Sequence, residues 1–236
     1  MEKSVIELLE QVTGQAHIVD LTHTMESGMP AWPTQARYGA VVYESYDRGD
    51  MALHSMVTFS EHTGTHIDAP KHYIKDACPI NELPLTRVIG RGVTIDATSV
   101  PPRGVLPVEK IKEFEAAHGP IRKGDIVMFR FGWDLKYRLQ PDCHDYLSDW
   151  PGLSSEAAEY LCGKAVAAVG CDALALDAFG NSMDDPAHHI LLGQGIPIIE
   201  NIDKLSGLPP FCFVIGLPNK FKDGSGSPLR LIAFVD

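Results

Sequence analysis

The feature that most restricts how this chain can fold is a run of potential metal ligands in residues 61–72. The run holds three histidines and one aspartate. Its segment 63–65, Thr-Gly-Thr, is a poor helix former, so extended backbone is favoured. On extended backbone, side chains two residues apart point to the same face. The spacing therefore predicts that His62, His66 and Asp68 lie together on one face of a strand or extended loop.

A strand is expected directly before this run, and a turn within it. Residues 53–60 alternate between two side-chain sets as a half-buried strand does. Pro70 ends regular strand pairing and turns the chain. His72 lies beyond that turn, and imidazole titrates near neutral pH. We interpret His72 as a general base or acid, the alternatives being a fourth ligand or a solvated loop histidine.

Imidazole and carboxylate groups at short spacing are the ligands that divalent transition metals prefer. Three protein ligands, here His62, His66 and Asp68, leave an open coordination position for water, which is the catalytic pattern. Zn²⁺ or Mn²⁺ would lower the pKa of such a water from ~16 toward ~7. The alternative is that these histidines are metal-free surface or core residues.

A second group of titratable side chains lies far along the chain. Its members are Asp184, Asp185, His188, His189 and Glu200. A histidine of this group, together with Glu200, could complete the first site or hold a second ion bridged by Asp68. A histidine and a glutamate at this spacing occur by chance in most proteins. The pair is a candidate site only because the first cluster is present.

Strand patterns outnumber helix patterns along the chain. Strands are predicted over residues 17–21, 38–43, 53–60, 88–97, 125–131, 173–177, 196–201, 211–217 and 229–235, and helices over 1–12, 107–118, 154–170 and 188–192. The composition shows no linker, and 236 residues suit one large domain. We predict a single α/β domain over residues 1–236, with a curved mixed sheet and flanking helices.

Charge and composition exclude several partners. The formal net charge of −11 argues against nucleic acid, because phosphate binding needs a basic face. A run of 18 or more apolar residues is absent from the sequence, so no membrane partner is expected. The five cysteines are scattered and without a C-x-x-C motif, which favours free thiols in the reducing cytoplasm.

At this point a resemblance becomes specific. The run 62–72, His-Thr-Gly-Thr-His-Ile-Asp-Ala-Pro-Lys-His, resembles the signature of the cyclase family of metal-dependent hydrolases. That family includes bacterial kynurenine formamidase, isatin hydrolase and a zinc-dependent trans-dienelactone hydrolase. Shorter segments resemble the family in the same order, so that the likeness covers nearly the whole chain. They are residues 21–22, 29–33, 131–133, 151–154, 188–193, 200–201 and 226–230.

The resemblance assigns roles to individual residues. It implies that His62, His66 and Asp68 are metal ligands and that His72 is the catalytic histidine. The formamidases also have a distal His and Glu twelve residues apart.

In this chain His188 and Glu200 have that spacing, which leaves His189 outside the site. Glu200 implies two ions, since isatin hydrolases tend to have Gln there and a single Mn²⁺.

The resemblance further implies a β/β/α swivelling-type domain that assembles as a homodimer or higher homo-oligomer. It implies a small-molecule substrate and aromatic residues along the pocket. Trp32 is our candidate for substrate binding, although an aromatic in this proline-rigid loop could equally plug the core. The longer loop 179–186 departs from the compact formamidases, which leaves the substrate open.

Three functions compete at this stage. The first is hydrolysis of a C–N amide bond, in an aryl formamide such as N-formylkynurenine or a cyclic amide such as isatin, by metal-activated water and His72; lactone hydrolysis is its variant. The second is a non-haem iron oxygenase, which His66, Asp68 and a distant histidine would suit. The basic residue that such an enzyme needs is distant, because Lys204 is the first after His188. The third is a non-catalytic metal or ligand-binding module.

Overall fold

Twelve strands and four α-helices are present in the computed structural model, which describes residues 3–180 and 184–236. The strands are β1 (His17–Asp20), β2 (Gly39–Glu44), β3 (His54–Thr58), β4 (His66–Asp68), β5 (Ile89–Asp96), β6 (Val105–Leu106), β7 (Ile126–Arg130), β8 (Gly152–Leu153), β9 (Ala168–Cys171), β10 (Ile198–Glu200), β11 (Phe211–Pro218) and β12 (Gly226–Val235). The helices are α1 (Val5–Gln15), α2 (Val108–His118), α3 (Ser155–Gly163) and α4 (Pro186–Gly193).

Seven of these strands close into a ring. Their order is β12, β11, β5, β7, β9, β10 and β4, and β4 pairs again with β12. Strand β1 pairs with the far end of β12, on the edge that β4 also uses. Strands β5, β7, β9 and β10 run parallel to one another, and α2, α3 and α4 lie in the connections between them. Such crossovers are what parallel neighbours require, and the sheet is therefore mixed.

Around its parallel strands the ring is buried on both faces, and strand β7 shows this clearly. Its residues alternate between two hydrophobic cores. Val127 and Phe129 pack in the core that includes residues of helices α2 and α3. Ile126 and Met128 pack with residues of β4, β10, β11 and β12, within the ring. Because both faces are apolar, a polar side chain on these strands has to be matched by polar partners.

Two elements stand apart from both cores. Helix α1 begins with a capping box at Ser4 and Glu7, but none of its residues is buried. Strands β2 and β3 form a separate two-stranded hairpin, and all five residues of β3 are exposed. In the described part of the chain, no helix is long and apolar enough to span a bilayer.

The predicted elements agree with the structure except around residues 164–177, and the two-residue strands β6 and β8 were not predicted. The helix predicted to run to Gly170 ends at Gly163, and Gly170 lies in β9. The strand predicted over 173–177 is wrong, because that apolar run is buried but irregular. The apolar pattern of residues 173–177 indicates burial and not strand pairing. The strand is formed by residues 168–171, whose backbone pairs with β7 and β10. Strand β12 starts at Gly226, three residues before the strand predicted over 229–235.

Gly170→Ala tests the close packing of the ring. A Cβ at this position would stand 2.8 Å from the Ile199 carbonyl oxygen and 2.8 Å from Ile202 Cδ1. We expect a loss of about 1–3 kcal/mol in the free energy of unfolding, the usual cost of overpacking. Urea denaturation measures it. The control is Gly163→Ala, where no atom lies within 4 Å and a small gain in stability is expected. Equal stability of the two variants would contradict this packing.

Candidate metal centre

Strand β4, which closes the ring, places three polar side chains together. His66 and Asp68 are two residues apart on this strand and point to the same face. In the antiparallel pairing with β10, Glu200 lies directly opposite His66. All three residues are buried. The expected shared face therefore holds for His66 and Asp68, and strand pairing adds Glu200 to it.

His62 reaches the same place by a different route. It lies in a turn before β4, not on the strand, so the expectation of one extended face is wrong for this residue. Gly64 has a φ of +64°, which favours glycine and lets the chain reverse. The imidazole of His62 then packs on Gly226, where a Cβ would stand 2.6 Å from His62 Cε1. His62 Nδ1 ends 2.5 Å from Asp68 Oδ1.

Helix α4 supplies the last member, His188. Its Nε2 lies 3.1 Å from Glu200 Oε1 and 3.5 Å from Asp68 Oδ2. His66 Nε2 lies 3.4 Å from Asp68 Oδ1 and 3.5 Å from Glu200 Oε2. The structure thus brings all five residues predicted as ligands into one buried cluster. His189, on the same helix, is exposed.

A further hydrogen bond orients each of the three imidazoles. His188 Nδ1 donates to Asp177 Oδ2 at 2.7 Å, and His66 Nδ1 donates to the Gly64 carbonyl at 2.8 Å. The Ser225 hydroxyl donates to Glu61 at 2.6 Å, so its oxygen accepts from His62 Nε2 at 2.9 Å. Outer partners of this kind select the imidazole tautomer in metal sites.

These bonds leave only acceptor atoms facing the centre. In neutral imidazole one nitrogen donates and the other accepts. The outward nitrogens donate, so the inward nitrogens of His62, His66 and His188 carry lone pairs. They face the carboxylates of Asp68 and Glu200, which also accept only. Lone pairs this close need a cation between them, either protons or a metal ion, so the donor set fits a divalent metal.

The pKa shifts have the same cause. Burial alone would lower the pKa of His188, but Asp177, Asp68 and Glu200 raise it well above its ordinary value. Burial would raise the pKa of the Asp68 carboxyl, but the surrounding histidines hold it well below its usual range. The first shift favours the imidazolium and the second favours the carboxylate, so both reflect attraction between opposite charges in the centre. The lining residues that the structure describes include no lysine or arginine, so among them the histidines supply the positive charge.

His72 stands at the edge of this cluster and is exposed. It ends a 3₁₀ turn that starts at Pro70, as the predicted turn requires. Its ring centroid is 4.0 Å from that of His62. Partial desolvation of the ring lowers the pKa of His72 to about 4, with the nearby histidines acting in the same direction and Asp68 opposing. His72, His62 and Asp68 also offer ligand atoms within 4.8 Å of one another, so geometry permits a ligand role as well.

A cavity of about 290 Å³ opens onto the cluster. Trp32 lines it and is also packed edge-on against Trp150, at 5.9 Å between ring centroids. It therefore serves as a pocket wall and as a contact to the core. A second, mostly apolar cavity of about 170 Å³ shares Trp32 and Asp185 with the first. Of the loop predicted over 179–186, residues 181–183 lie outside the described part.

Several residues of the site were not predicted from the sequence. They are Glu61, Tyr73, Asp177 and Ser225. Of these, Asp177 had a readable signal, because it is a single acidic residue at the end of an apolar run, shortly before the second titratable group. Asp184, a member of that group, is exposed and does not line the cavity.

The chain is similar to known proteins over most of its length. A model of the family described as "Putative cyclase" matches residues 19–178. The kynurenine formamidase of Erythrobacter litoralis is 30% identical, over 92% of this chain and 94% of that protein. The isatin hydrolase of Roseibium aggregatum is 29% identical, over 95% of this chain and 94% of that protein.

Among solved structures, isatin hydrolase A from Labrenzia aggregata bound to benzyl benzoate superposes with a TM-score of 0.90. It is 31% identical, with coverage of 98% of this chain and 99% of that one. The resemblance inferred from the sequence is confirmed, as is the α/β fold class with a curved mixed sheet.

Asp177→Asn tests the orientation of His188. Asp177 accepts from the backbone N–H groups of Ala187 and His188 as well as from the His188 ring. An amide cannot accept through both atoms, so the ring loses its fixed tautomer. We expect affinity for Zn²⁺ to fall about 10–100-fold, as for other outer partners, in a titration against a competing chelator. Asp96→Asn, at an exposed carboxylate, is the control. Unchanged affinity would show that Asp177 does not orient the site.

Proposed function

The chain belongs to the cyclase family, and we propose on that premise that it is a metal-dependent hydrolase that cleaves a C–N amide bond. One observation carries the proposal. Five residues from separate parts of the chain, His62, His66, Asp68, His188 and Glu200, turn only acceptor atoms toward one buried point beside a cavity. Structural sites are closed to substrate, whereas this one adjoins space for a small molecule.

The five residues would hold the cation. Their mixed nitrogen and oxygen donors suit Zn²⁺ or Mn²⁺. Asp68 belongs to two separate groups of ligand atoms, one with His62 and His72 and one with His66 and Glu200, which supports two ions per chain. When bound, the metal would act as a Lewis acid toward the carbonyl and lower the pKa of water.

His72 is the proposed proton carrier. It is exposed to the cavity, whereas the other members of the cluster are largely buried, and its lowered pKa keeps it neutral and able to accept. It takes a proton from the water that attacks the carbonyl carbon. It then donates that proton to the amide nitrogen as the C–N bond breaks, which leaves a carboxylic acid and an amine.

The proposed substrates are an aryl formamide such as N-formylkynurenine and a cyclic amide such as isatin. The names of the relatives, kynurenine formamidase and isatin hydrolase, support these two classes. One structural neighbour, 27% identical, is an isatin hydrolase bound to the product analogue thioisatinate. The aromatic wall around Trp32 suits the aryl group that both substrates carry. Five ligands are more than the facial triad of an iron oxygenase uses.

All five cysteines are free thiols. Free thiols persist in reducing compartments. We therefore propose the cytoplasm as the location.

His72→Ala tests the proposed reaction. Wild-type protein is analysed for bound metal and assayed with N-formylkynurenine, isatin, a cyclic imide and a lactone. We expect turnover of an amide by the wild type. The variant should keep its metal and lose about two to four orders of magnitude in kcat, the usual size of acid–base catalysis.

The control variant is His118→Ala, an exposed histidine outside the cavity. Loss of metal together with activity in His72→Ala would make His72 a ligand. A wild type without metal, or without amide turnover, would contradict the proposed function. One ion per chain would count against Glu200 as a ligand.

The proposed partner is a second copy of the chain. Five exposed large hydrophobic residues lie on α1, and eight more lie between Val41 and Val57 of the hairpin. An isolated helix of this length and an isolated hairpin are both marginal in water. Thirteen half-exposed side chains of this size offer an area on the order of the ~800 Å² that each partner buries in a stable interface. The area supports a homodimer or larger homo-oligomer.

Paired charges on the hairpin test this assembly. Val41 and Met56 are cross-strand neighbours, 58% and 56% exposed. Val41→Lys with Met56→Glu keeps a favourable cross-strand pair but removes the apolar surface. In size-exclusion chromatography with light scattering, we expect the wild type at twice 25.8 kDa or more and the variant at the monomer mass. Leu135→Lys, at an exposed residue elsewhere, is the control. A monomeric wild type, or a variant that stays assembled, would disprove this interface.

A further inference from the structure

Tyr73 directly follows His72, and its ring is surrounded by three histidines. The ring centroids lie 4.9 Å from His72, 4.8 Å from His188 and 4.9 Å from His189. The His188 ring is stacked at an interplanar angle of 30°, whereas His72 meets the tyrosine edge-on. His72 and His188 are themselves 6.5 Å apart. The tyrosine ring thus packs against both imidazoles, beside the line that joins them.

The hydroxyl of Tyr73 makes a separate contact. It donates to Asp185 Oδ2 at 2.6 Å. Burial raises the pKa of Tyr73 above its ordinary value, so the group remains a donor. Asp185 precedes α4 and has a strained φ of +31°. It lines both the cavity over the metal cluster and the apolar side cavity. This bond therefore ties the turn that carries His72 to the wall between the two cavities.

We infer that Tyr73 is a positioning residue with two separable roles: its ring holds His72 at a set distance from His188, and its hydroxyl holds Asp185 in the cavity wall. The inference rests on the proposed function, in which His72 transfers the proton. The ring acts on the chemical step, since a misplacement of about 1 Å can cost on the order of 100-fold in rate. The hydroxyl acts on substrate binding, since it shapes the wall that the substrate would touch.

Two substitutions separate these roles. Tyr73→Phe keeps the ring and removes the hydroxyl. We expect KM to rise about 2- to 10-fold, the worth of one hydrogen bond, with kcat within about 2-fold. Tyr73→Leu removes the planar ring that contacts both imidazoles, and we expect kcat to fall about 10- to 100-fold. Metal content, measured on both purified variants, should equal that of the wild type.

Asp185→Ala should reproduce the KM effect of Tyr73→Phe. Combining the two should add nothing further, because both remove the same bond. Tyr160→Phe is the matched control. That hydroxyl also donates to a carboxylate, of Glu115, and Tyr160 does not line the cavity. The control should leave kcat and KM unchanged.

The outcomes distinguish this inference from the proposed function. A wild type without amide turnover overturns the proposed function, and the inference with it. If the wild type is active, equal losses of kcat in the Phe and Leu variants overturn the inference alone. Metal lost in step with activity in Tyr73→Leu would also overturn it, because Tyr73 would then only support the ligands. Additive effects of Tyr73→Phe and Asp185→Ala on KM would disprove the proposed role of the hydrogen bond between these residues.

Discussion

The structure depends on two buried carboxylates, those of Asp68 and Glu200. Among the residues described, no lysine or arginine lines the cavity beside them. Asp68 and Glu200 lie on adjacent strands, β4 and β10, whose residues are all buried. A buried charge without compensation is costly, and here the compensation comes from imidazoles whose lone pairs demand a shared cation. Because β4 is also the strand that closes the ring between β10 and β12, the same residues complete the sheet and build the centre. The fold and the cation site therefore depend on each other.

Residues 172–178 are irregular because their polar groups bind other residues and not a neighbouring strand. The run is apolar enough for a strand, but its backbone and carboxylates make hydrogen bonds elsewhere. The Leu176 N–H donates to Glu200 Oε1 at 2.7 Å, and Asp177 binds both the N-terminus of α4 and the ring of His188. Asp172 similarly accepts from three backbone N–H groups after β7, while burial raises the pKa of its carboxyl to about 7. A strand ladder through this run would have consumed the Leu176 N–H that here binds Glu200.

Local patterns were informative where the contact is local. His66 and Asp68 share a face because strand geometry alone places alternate residues together. The same rule was wrong for His62, since the turn at Gly64 lies between it and the strand and returns its ring over Gly226. The helix predicted to Gly170 failed for a related reason. Apolar periodicity reports burial, and Gly170, taken as the end of a helix, is a strand residue at which a Cβ would stand 2.8 Å from the Ile199 carbonyl oxygen.

By itself, the sequence determined the kinds of ligand, the pair on β4, the turn at Pro70 that sets His72 apart, and the family. Only the tertiary structure decided how His188 and Glu200 meet residues more than a hundred positions earlier, through the pairing of β10 with β4 and the docking of α4. It also decided the tautomers, since Asp177 and Ser225 select which imidazole nitrogen faces the centre. The physical reason is that hydrogen-bond partners distant in sequence are brought together by strand register and packing, which local side-chain spacing does not encode.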